Sequence, residues 1–168
     1  MSSDESFAAW YGVEHPRVLA VLAVTGGNLD AAKEAAAEGF ARAYERWDTV
    51  SLMSSPAGWT YRVSLHELRR TIRRARREHV LLRAQVPPPA IAPTDSRAEV
   101  WDAVQQLPKR QRTAVALRYV ADMTEQSIAD VMDVRVGTVS ATLHTARRRL
   151  AELLGDDAMA EGGERAHG

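Results

Sequence analysis

Residues 107–154 contain three segments with helical hydrophobic spacing, separated by two short breaks, and this pattern constrains the fold more than any other feature of the chain. One face of the third segment is apolar at alternating steps of three and four residues, and it consists of Val136, Val139, Leu143, Ala146, Leu150 and Leu153. Thr124 is suited to cap the second helix, and Asp133 tolerates the left-handed backbone of a tight turn. Two helices joined by a short turn, with a longer second helix that ends in arginines, are typical of a helix-turn-helix that enters the DNA major groove.

The same stretch contains, in order, the short sequences LPKRQR, LRYV, SIADVM, GTV and ARRRL. Together they resemble region 4 of the sigma-70 family of transcription initiation factors, in the extracytoplasmic-function group. The resemblance implies a helix-turn-helix domain that reads the −35 promoter element. The residues alone leave two alternatives open, a helical hairpin without DNA contact and a sigma-like or LuxR-type regulator that does not recruit polymerase.

The outer face of the third helix is predicted to contact the major groove. Its candidate residues are Arg135, Gly137, Thr138, Ser140, Ala141, His144, Thr145 and Arg148. The candidate phosphate-binding residues, at the start of the first helix, are Lys109, Arg110 and Arg112. The family commonly has basic residues where this chain has Ser140, Thr142 and Thr145, and hydroxyl side chains lack the bidentate reach of arginine to guanine. We therefore expect −35 recognition that is weaker than, or different from, that of typical members.

The longest predicted helix covers residues 56–83 and has an apolar and a basic side. The apolar stripe consists of Leu65, Leu68, Ile72, Ala75, His79 and Leu82. The basic side contains Trp59, Arg62, Val63, His66, Arg69, Arg70, Arg73, Arg74 and Arg77. Arginines suit phosphates and an aromatic ring suits base stacking, so this side is predicted to bind nucleic acid. The alternatives are a solvated charged face and a Trp59 that packs in the core.

The N-terminal half resembles region 2 of the same family through AKEAAAEGF at residues 32–40 and WTYRVSLHELRRTIRRARR at residues 59–77. The resemblance implies that the helix containing residues 32–40 docks on the β′ clamp of core RNA polymerase through Asp30, Glu34, Ala37 and Glu38. It also implies that the second stretch and the polar loop 48–55 bind the melted −10 element, through Trp59, Arg62, His66, Arg69, Arg70 and Arg73. Glu34 stands where the family has aspartate, and Ala37 where it usually has glutamine, so the strength of polymerase binding is open.

Residues 84–96, AQVPPPAIAPTDS, contain four prolines and cannot form the interior of a helix. They predict an extended spacer of about 40 Å, long enough to hold two small domains apart. The predicted fold is therefore all-α, with a helical domain at 1–83, a Pro-rich linker at 84–96 and a helix-turn-helix domain at 97–155. Residues 156–168 are predicted to form a disordered acidic tail.

The 22 basic and 22 acidic residues balance overall, but their distribution is uneven. Residues 62–83 contain eight arginines and two glutamates, whereas residues 152–168 contain five acids and one arginine. Local charge governs the attraction to phosphates, because charges further apart than about 8 Å are screened at physiological salt. A net charge of zero therefore does not argue against nucleic-acid binding.

The sequence shows no convincing catalytic pattern, so we predict that the protein is not an enzyme. It has no HExxH motif, no glycine-rich phosphate loop and no cysteine, and its five histidines lack metal-ligand spacing. We expect no metal or other cofactor.

The sequence also lacks a membrane-spanning run and a signal peptide, which predicts a cytoplasmic protein. The resemblance implies core RNA polymerase (its β′ clamp and β subunits) and promoter DNA as partners. An anti-sigma factor is common in the group, although no residue points to one.

Overall fold

The computed structural model of the protein describes residues 3–78 and 95–155, and the side chains of the second range from residue 98 onward. Within these ranges all regular structure is helical, which confirms the all-α prediction. The helices are α1 (Ser3–Gly26), α2 (Leu29–Glu45), α3 (Trp47–Val50), α4 (Pro56–Glu78), α5 (Asp95–Gln105), α6 (Lys109–Tyr119), α7 (Glu125–Met132) and α8 (Val136–Leu154). The predicted end of the long helix at 79–83, most of the linker and the tail lie outside the described residues, and the last two linker residues, 95 and 96, already belong to α5.

Local signals separate the first three helices. Gly27 adopts a positive φ of 64°, and the Asn28 side chain then caps α2 by accepting a hydrogen bond from the Ala31 amide at 2.9 Å. Helix α2 ends before Trp47, because Arg46 leaves the helical conformation. Trp47 begins the single turn α3, whose other three residues belong to the predicted loop 48–55, and its indole N–H donates to the Ser6 hydroxyl at 2.8 Å.

Helix α4 is held between α1 and α2 by the first half of its apolar stripe. Tyr61, Leu65 and Leu68 are buried against these helices, whereas Ile72 and Ala75 are only half-buried. Thr60, Ser64 and Glu67 are buried on the same helix, because α2 presents alanines and one glycine, which let the two backbones come close. The buried side of α4 is therefore wider than the stripe that the sequence predicted.

Ion pairs connect the polar edges of α2 and α4. Arg74 of α4 lies 2.7 Å from the Glu34 carboxylate, and both side chains are half-exposed. Arg42 of α2 lies 2.8 Å from Glu38 and 3.0 Å from Glu67, whose side chain is only 9% exposed. Arg70 approaches the same Glu67 carboxylate at 3.8 Å. Arg42 is thus the closest positive charge to the one buried carboxylate of this interface in the described part of the chain.

The C-terminal helices form the predicted helix-turn-helix. The Thr124 hydroxyl caps α7 by accepting from the Ser127 amide at 3.1 Å, and Asp133 adopts a φ of 55° in the turn to α8. The buried residues of α8 are Val139, Leu143, Ala146 and Leu150, as predicted. The stripe does not extend to Leu153, which is 40% exposed, because the apolar face of a straight helix drifts against a seven-residue repeat, and Leu154 packs on the core instead.

The two helical groups share one hydrophobic core in this structure. Helix α6 packs against α1, and α7 packs against α4. At the junction the Gln105 side chain donates to the Val24 carbonyl at 3.0 Å, and Arg112 donates to the Gln105 amide oxygen at 2.6 Å. The length of the predicted spacer therefore permits separation of the two groups but does not impose it.

The close approach of α2 and α4 at Gly39 can be tested by mutation. A Cβ at this position would overlap the Ser64 hydroxyl and come within 3.1 Å of the Ser64 Cβ, whereas a Cβ at Gly12 in α1 would meet nothing within 4 Å. Both Gly→Ala changes gain helix propensity, so their difference isolates overpacking. We expect Gly39→Ala to have a free energy of unfolding lower than that of Gly12→Ala by about 1–3 kcal/mol in urea titrations. Equal stabilities would contradict this packing.

The ion pairs between α2 and α4 provide a second test. Arg42→Met removes the closest partner of the nearly buried Glu67, and we expect it to lower the free energy of unfolding by about 1–2 kcal/mol. Arg74→Met is the matched control, because Glu34 remains in contact with water and the loss should stay below about 0.5 kcal/mol. Urea unfolding of both variants measures the difference. A larger loss for Arg74→Met would show that burial does not determine the strength of these pairs.

Candidate nucleic-acid interface

The outer face of α8 presents the predicted groove-contacting residues to solvent. Exposed positions along this face are Gly137, Thr138, Ser140, Ala141, His144 and Arg148. Arg135 is also exposed and occupies the N-cap of the helix without capping it through its side chain. Thr145 is half-buried, and its hydroxyl donates to the Ala141 carbonyl at 2.9 Å, which leaves it as an acceptor only. Burial of the apolar stripe thus exposes one continuous, weakly charged surface.

A carboxylate that sequence reasoning missed belongs to this surface. Ser140 donates a hydrogen bond from its hydroxyl to Glu125, the first residue of α7. A carboxylate repels phosphates but accepts hydrogen bonds from the amino groups of cytosine, and a serine can contact either kind of base edge. The available signal was the position of Glu125 directly after the Thr124 cap, since the N-terminus of the first helix lies against the second in this motif.

The arginines of α4 lie on two different faces. Arg74 points toward Glu34 of α2, and Arg70 lies beside Glu67 of its own helix, in the groove between α2 and α4. Arg69, Arg73 and Arg76, spaced by four and three residues, form the other face together with His66 one turn earlier and Arg62 two turns earlier. The predicted basic side is therefore divided: Arg70 and Arg74 form ion pairs, whereas Arg69, Arg73 and Arg76 form none within residues 3–78 and 95–155.

Trp59, Arg62 and His66 line a cleft whose opposite wall is the end of α7 with the turn that follows it. Trp59 is half-buried, so it is neither fully in the core nor free on the surface. Arg62 lies 3.7 Å from the Asp133 carboxylate, and both groups are largely exposed, so this pair contributes little to stability. The structure therefore places the residues expected at −10 DNA next to the helix-turn-helix.

Lys109, Arg110 and Arg112 begin α6, directly opposite the second arginine face of α4. The pKa of Lys109 is lowered, first by burial and then by the positive charges of Arg76, Arg112, Arg69 and Arg73. Arg112 is half-buried and donates to Gln105, and burial lowers its pKa as well. Arg112 thus has a packing role at the junction, while Lys109 and Arg110 are exposed.

The residues predicted to bind polymerase lie on the exposed side of α2. Asp30, Glu34, Ala37 and Glu38 are all exposed. The last three line a shallow groove between α2 and α4, which also contains Arg70 and Arg74. The small side chain of Ala37 leaves the floor of this groove open, with the two glutamates held at its edge by Arg74 and Arg42.

No group of three or more His, Asp or Glu side chains is arranged to hold a metal ion in the ranges 3–78 and 95–155. Among the helices described, none is both long and apolar enough to cross a bilayer.

Comparison with known proteins covers both halves of the chain. Residues 10–78 match sigma-70 region 2, and residues 97–150 match sigma-70 region 4. The extracytoplasmic-function RNA polymerase sigma factor SigW of Bacillus subtilis is 26% identical over 147 residues, which are 77% of this chain and 79% of SigW. The RNA polymerase sigma-E factor of Streptomyces antibioticus is 30% identical over 118 residues, 68% of this chain and 65% of that factor.

A solved structure has the same fold over nearly the whole chain. The sigma factor RpoE of Bartonella quintana, in a co-crystal with the anti-sigma factor NepR, matches with a TM-score of 0.78 at 21% identity. The match covers 91% of this chain and 99% of that one. The paired regions 2 and 4, the helix-turn-helix geometry and these relatives lead to one conclusion: the chain belongs to the sigma-70 family of RNA polymerase sigma factors, in its extracytoplasmic-function group.

Proposed function

We propose that this protein binds core RNA polymerase and directs it to specific promoters. The observation that carries the proposal is the presence, in one chain, of both family regions with their functional faces exposed: the outer face of α8 and the groove side of α2. On this proposal the protein acts by binding, in the cytoplasm, and catalyses no reaction itself. The chemistry of RNA synthesis belongs to the polymerase.

Helix α8 reads the −35 element from the major groove. Arg135 and Arg148 supply the positive charges of the outer face of α8. Lys109 and Arg110 bind phosphates at the start of α6. Ser140 and Glu125 form a hydrogen-bonded pair at the groove, which favours a base with an exocyclic amino group over guanine O6 and N7. Specificity at that position therefore differs from that of members with arginine there.

The second arginine face of α4 stabilises melted −10 DNA together with residues 48–55. Extruding a base costs a few kcal/mol, and stacking on an aromatic ring such as Trp59 with arginine contacts to phosphates offsets this cost. In the described structure Trp59 and Arg62 face α7, so access for a DNA strand requires that the helix-turn-helix move away from α4. Binding to polymerase supplies the free energy for this separation.

The groove side of α2 contacts the β′ clamp. Asp30 forms no ion pair within residues 3–78 and 95–155, whereas Glu34 is paired with Arg74 of α4 and Glu38 with Arg42 of α2 itself. The polymerase must therefore share or displace these pairs, and the open floor at Ala37 is where a side chain of the partner fits. An anti-sigma factor, the kind of protein present in the similar RpoE structure, is a further proposed partner of this chain.

Polymerase binding can be tested by placing a charge on the groove floor. Ala37 is exposed, so Ala37→Arg should fold normally, and we expect it to weaken the complex with core RNA polymerase at least tenfold because a desolvated, unpaired charge costs more than 1.4 kcal/mol. Gel filtration of the protein with core enzyme at micromolar concentration measures the complex. The control is Val13→Arg on the exposed side of α1.

If the unmodified protein fails to co-elute with core enzyme but still binds DNA, the proposed function is wrong. The chain would then be a sigma-like DNA-binding regulator.

The role of α8 can be tested through the salt dependence of binding. For the protein bound to core enzyme, we expect Arg148→Ala to reduce the slope of log affinity for promoter DNA against log salt concentration by about one, as one phosphate contact is lost. Arg17→Ala, on an exposed site of α1, is the control and should leave the slope unchanged. Filter binding at several salt concentrations gives both slopes. Parallel lines for Arg148→Ala and the parent would remove Arg148 from the interface.

A further inference from the structure

A cleft at the junction of the two helical groups collects positive charge. It lies between α1, α4, α6 and the turn after α7, and its polar lining consists of Thr25, Arg69, Lys109, Arg110, Thr113 and Asp133. We call it the junction cleft. Its volume of about 430 Å³ exceeds that of a water molecule, roughly 30 Å³, by more than tenfold, so it has room for several side chains of a peptide segment.

The charges around the junction cleft are not balanced. Arg69, Arg73 and Arg76 of α4 face Lys109 and Arg110 of α6 across it, and in residues 3–78 and 95–155 none of these five side chains forms an ion pair. The carboxylate that lines the cleft, Asp133, lies beside Arg62. Like charges at this spacing repel one another, and an anion in the cleft relieves this repulsion.

Two neutral features of the junction cleft also favour an anion. The Thr25 hydroxyl lines the cleft, belongs to a residue that is only 5% exposed, and has no hydrogen-bond partner. Helix α6 begins after Pro108 without a side-chain cap, so the first amides of an eleven-residue helix lie at the cleft with no side-chain acceptor. A buried hydroxyl donor, an uncapped helix N-terminus and two exposed cations therefore converge on one space.

We propose that the junction cleft binds the chain's own acidic C-terminal segment, residues 156–168. This segment carries Asp156, Asp157, Glu161 and Glu164 against the single Arg165. Its carboxylates supply the negative charge that the cleft lacks, and they accept hydrogen bonds from the Thr25 hydroxyl and from the start of α6.

The length of the segment is sufficient for this contact. Val134 lines the cleft two residues before α8 begins, and the 19 residues of α8 extend about 28 Å. Gly155 therefore lies within roughly 35 Å of the cleft. Glu161 and Glu164, six and nine extended residues beyond Gly155, reach about 20 and 30 Å, so they are the carboxylates of the segment that approach the cleft. A tethered segment is present at an effective concentration in the millimolar range, which favours it over diffusible anions of similar charge.

Occupation of the junction cleft has a consequence for DNA, which rests on the proposed function. Arg69, Arg73, Lys109 and Arg110 are the cations proposed above to contact phosphates, so the segment and a DNA backbone compete for them. The segment also bridges α4 and α6, and it holds the two helical groups together by neutralising the charges that would separate them. Polyanion binding and opening of the junction are thereby coupled.

The absence of cysteine allows a direct test in the full chain. A spin label on Gly162→Cys should broaden the NMR signals of the amides at residues 109–113 and 69–76 at low salt. The matched control carries the same label with Asp156→Asn, Asp157→Asn, Glu161→Gln and Glu164→Gln, and its broadening at these amides should be lost. A second variant, Lys109→Gln with Arg110→Gln, changes two exposed side chains and should lose it as well.

Absence of broadening in the labelled parent, or equal broadening in the neutralised control, would overturn the proposal. If added inorganic pyrophosphate shifts the NMR signals of these amides in a parent that shows no broadening, the cleft takes a diffusible anion and the segment is not its ligand.

The competition between the segment and DNA is tested with the variant that carries the four neutralising substitutions. We expect it to bind nonspecific duplex DNA several-fold more tightly than the parent at low salt, with the difference vanishing as salt rises. An unchanged duplex affinity would overturn the competition. None of these measurements uses polymerase or a promoter, so their failure is distinguishable from failure of the proposed function.

Discussion

Burial of the first half of α4 between α1 and α2 is the interaction on which the other surfaces depend. Tyr61, Leu65 and Leu68 fix the rotation of this helix, and each fully buried side chain contributes about 1.5–3 kcal/mol. Once the rotation is fixed, arginines at successive positions must point in different directions. Arg74 meets Glu34 of α2 and Arg70 lies beside the buried Glu67, whereas Arg69, Arg73 and Arg76 face α6. The packing of α4 thus determines both the groove between α2 and α4 and the junction cleft.

The helix-turn-helix follows the same principle at the other end of the chain. The buried stripe of α8 determines which side chains are exposed, and the caps at Thr124 and Asp133 fix the angle between α7 and α8. This geometry brings Glu125 against the outer face of α8. There it supplies a hydrogen-bond acceptor on a surface where the family commonly has basic side chains. A reading face of this composition favours discrimination by hydrogen bonds over attraction by charge.

The junction between the two groups combines opposing forces. Apolar contacts of α6 with α1 and of α7 with α4 hold it together, as does the hydrogen bond from Gln105 to Val24. Repulsion among the cations of α4 and α6 acts against it, and the buried Thr25 hydroxyl and Arg112 Nε lack partners. Because this repulsion and these unpaired polar groups weaken the junction, it can open when a partner competes for its surfaces. Opening of the junction would expose the surfaces of α4 and α6 that are proposed to bind DNA.

The sequence by itself determined the longer helices of both halves, the Thr124 cap and the buried stripe of α8, because hydrophobic spacing and capping residues act over a few neighbouring positions. It also determined the family, through motifs that specify a reading helix and a basic helix. Only the tertiary structure decided that the arginines of α4 divide, that Glu67 is buried beside Arg42, and that Trp59 faces α7. It also decided that the two groups share a core, although the spacer is long enough to separate them. These features depend on which helices meet across long stretches of chain, and local periodicity carries no information about such contacts.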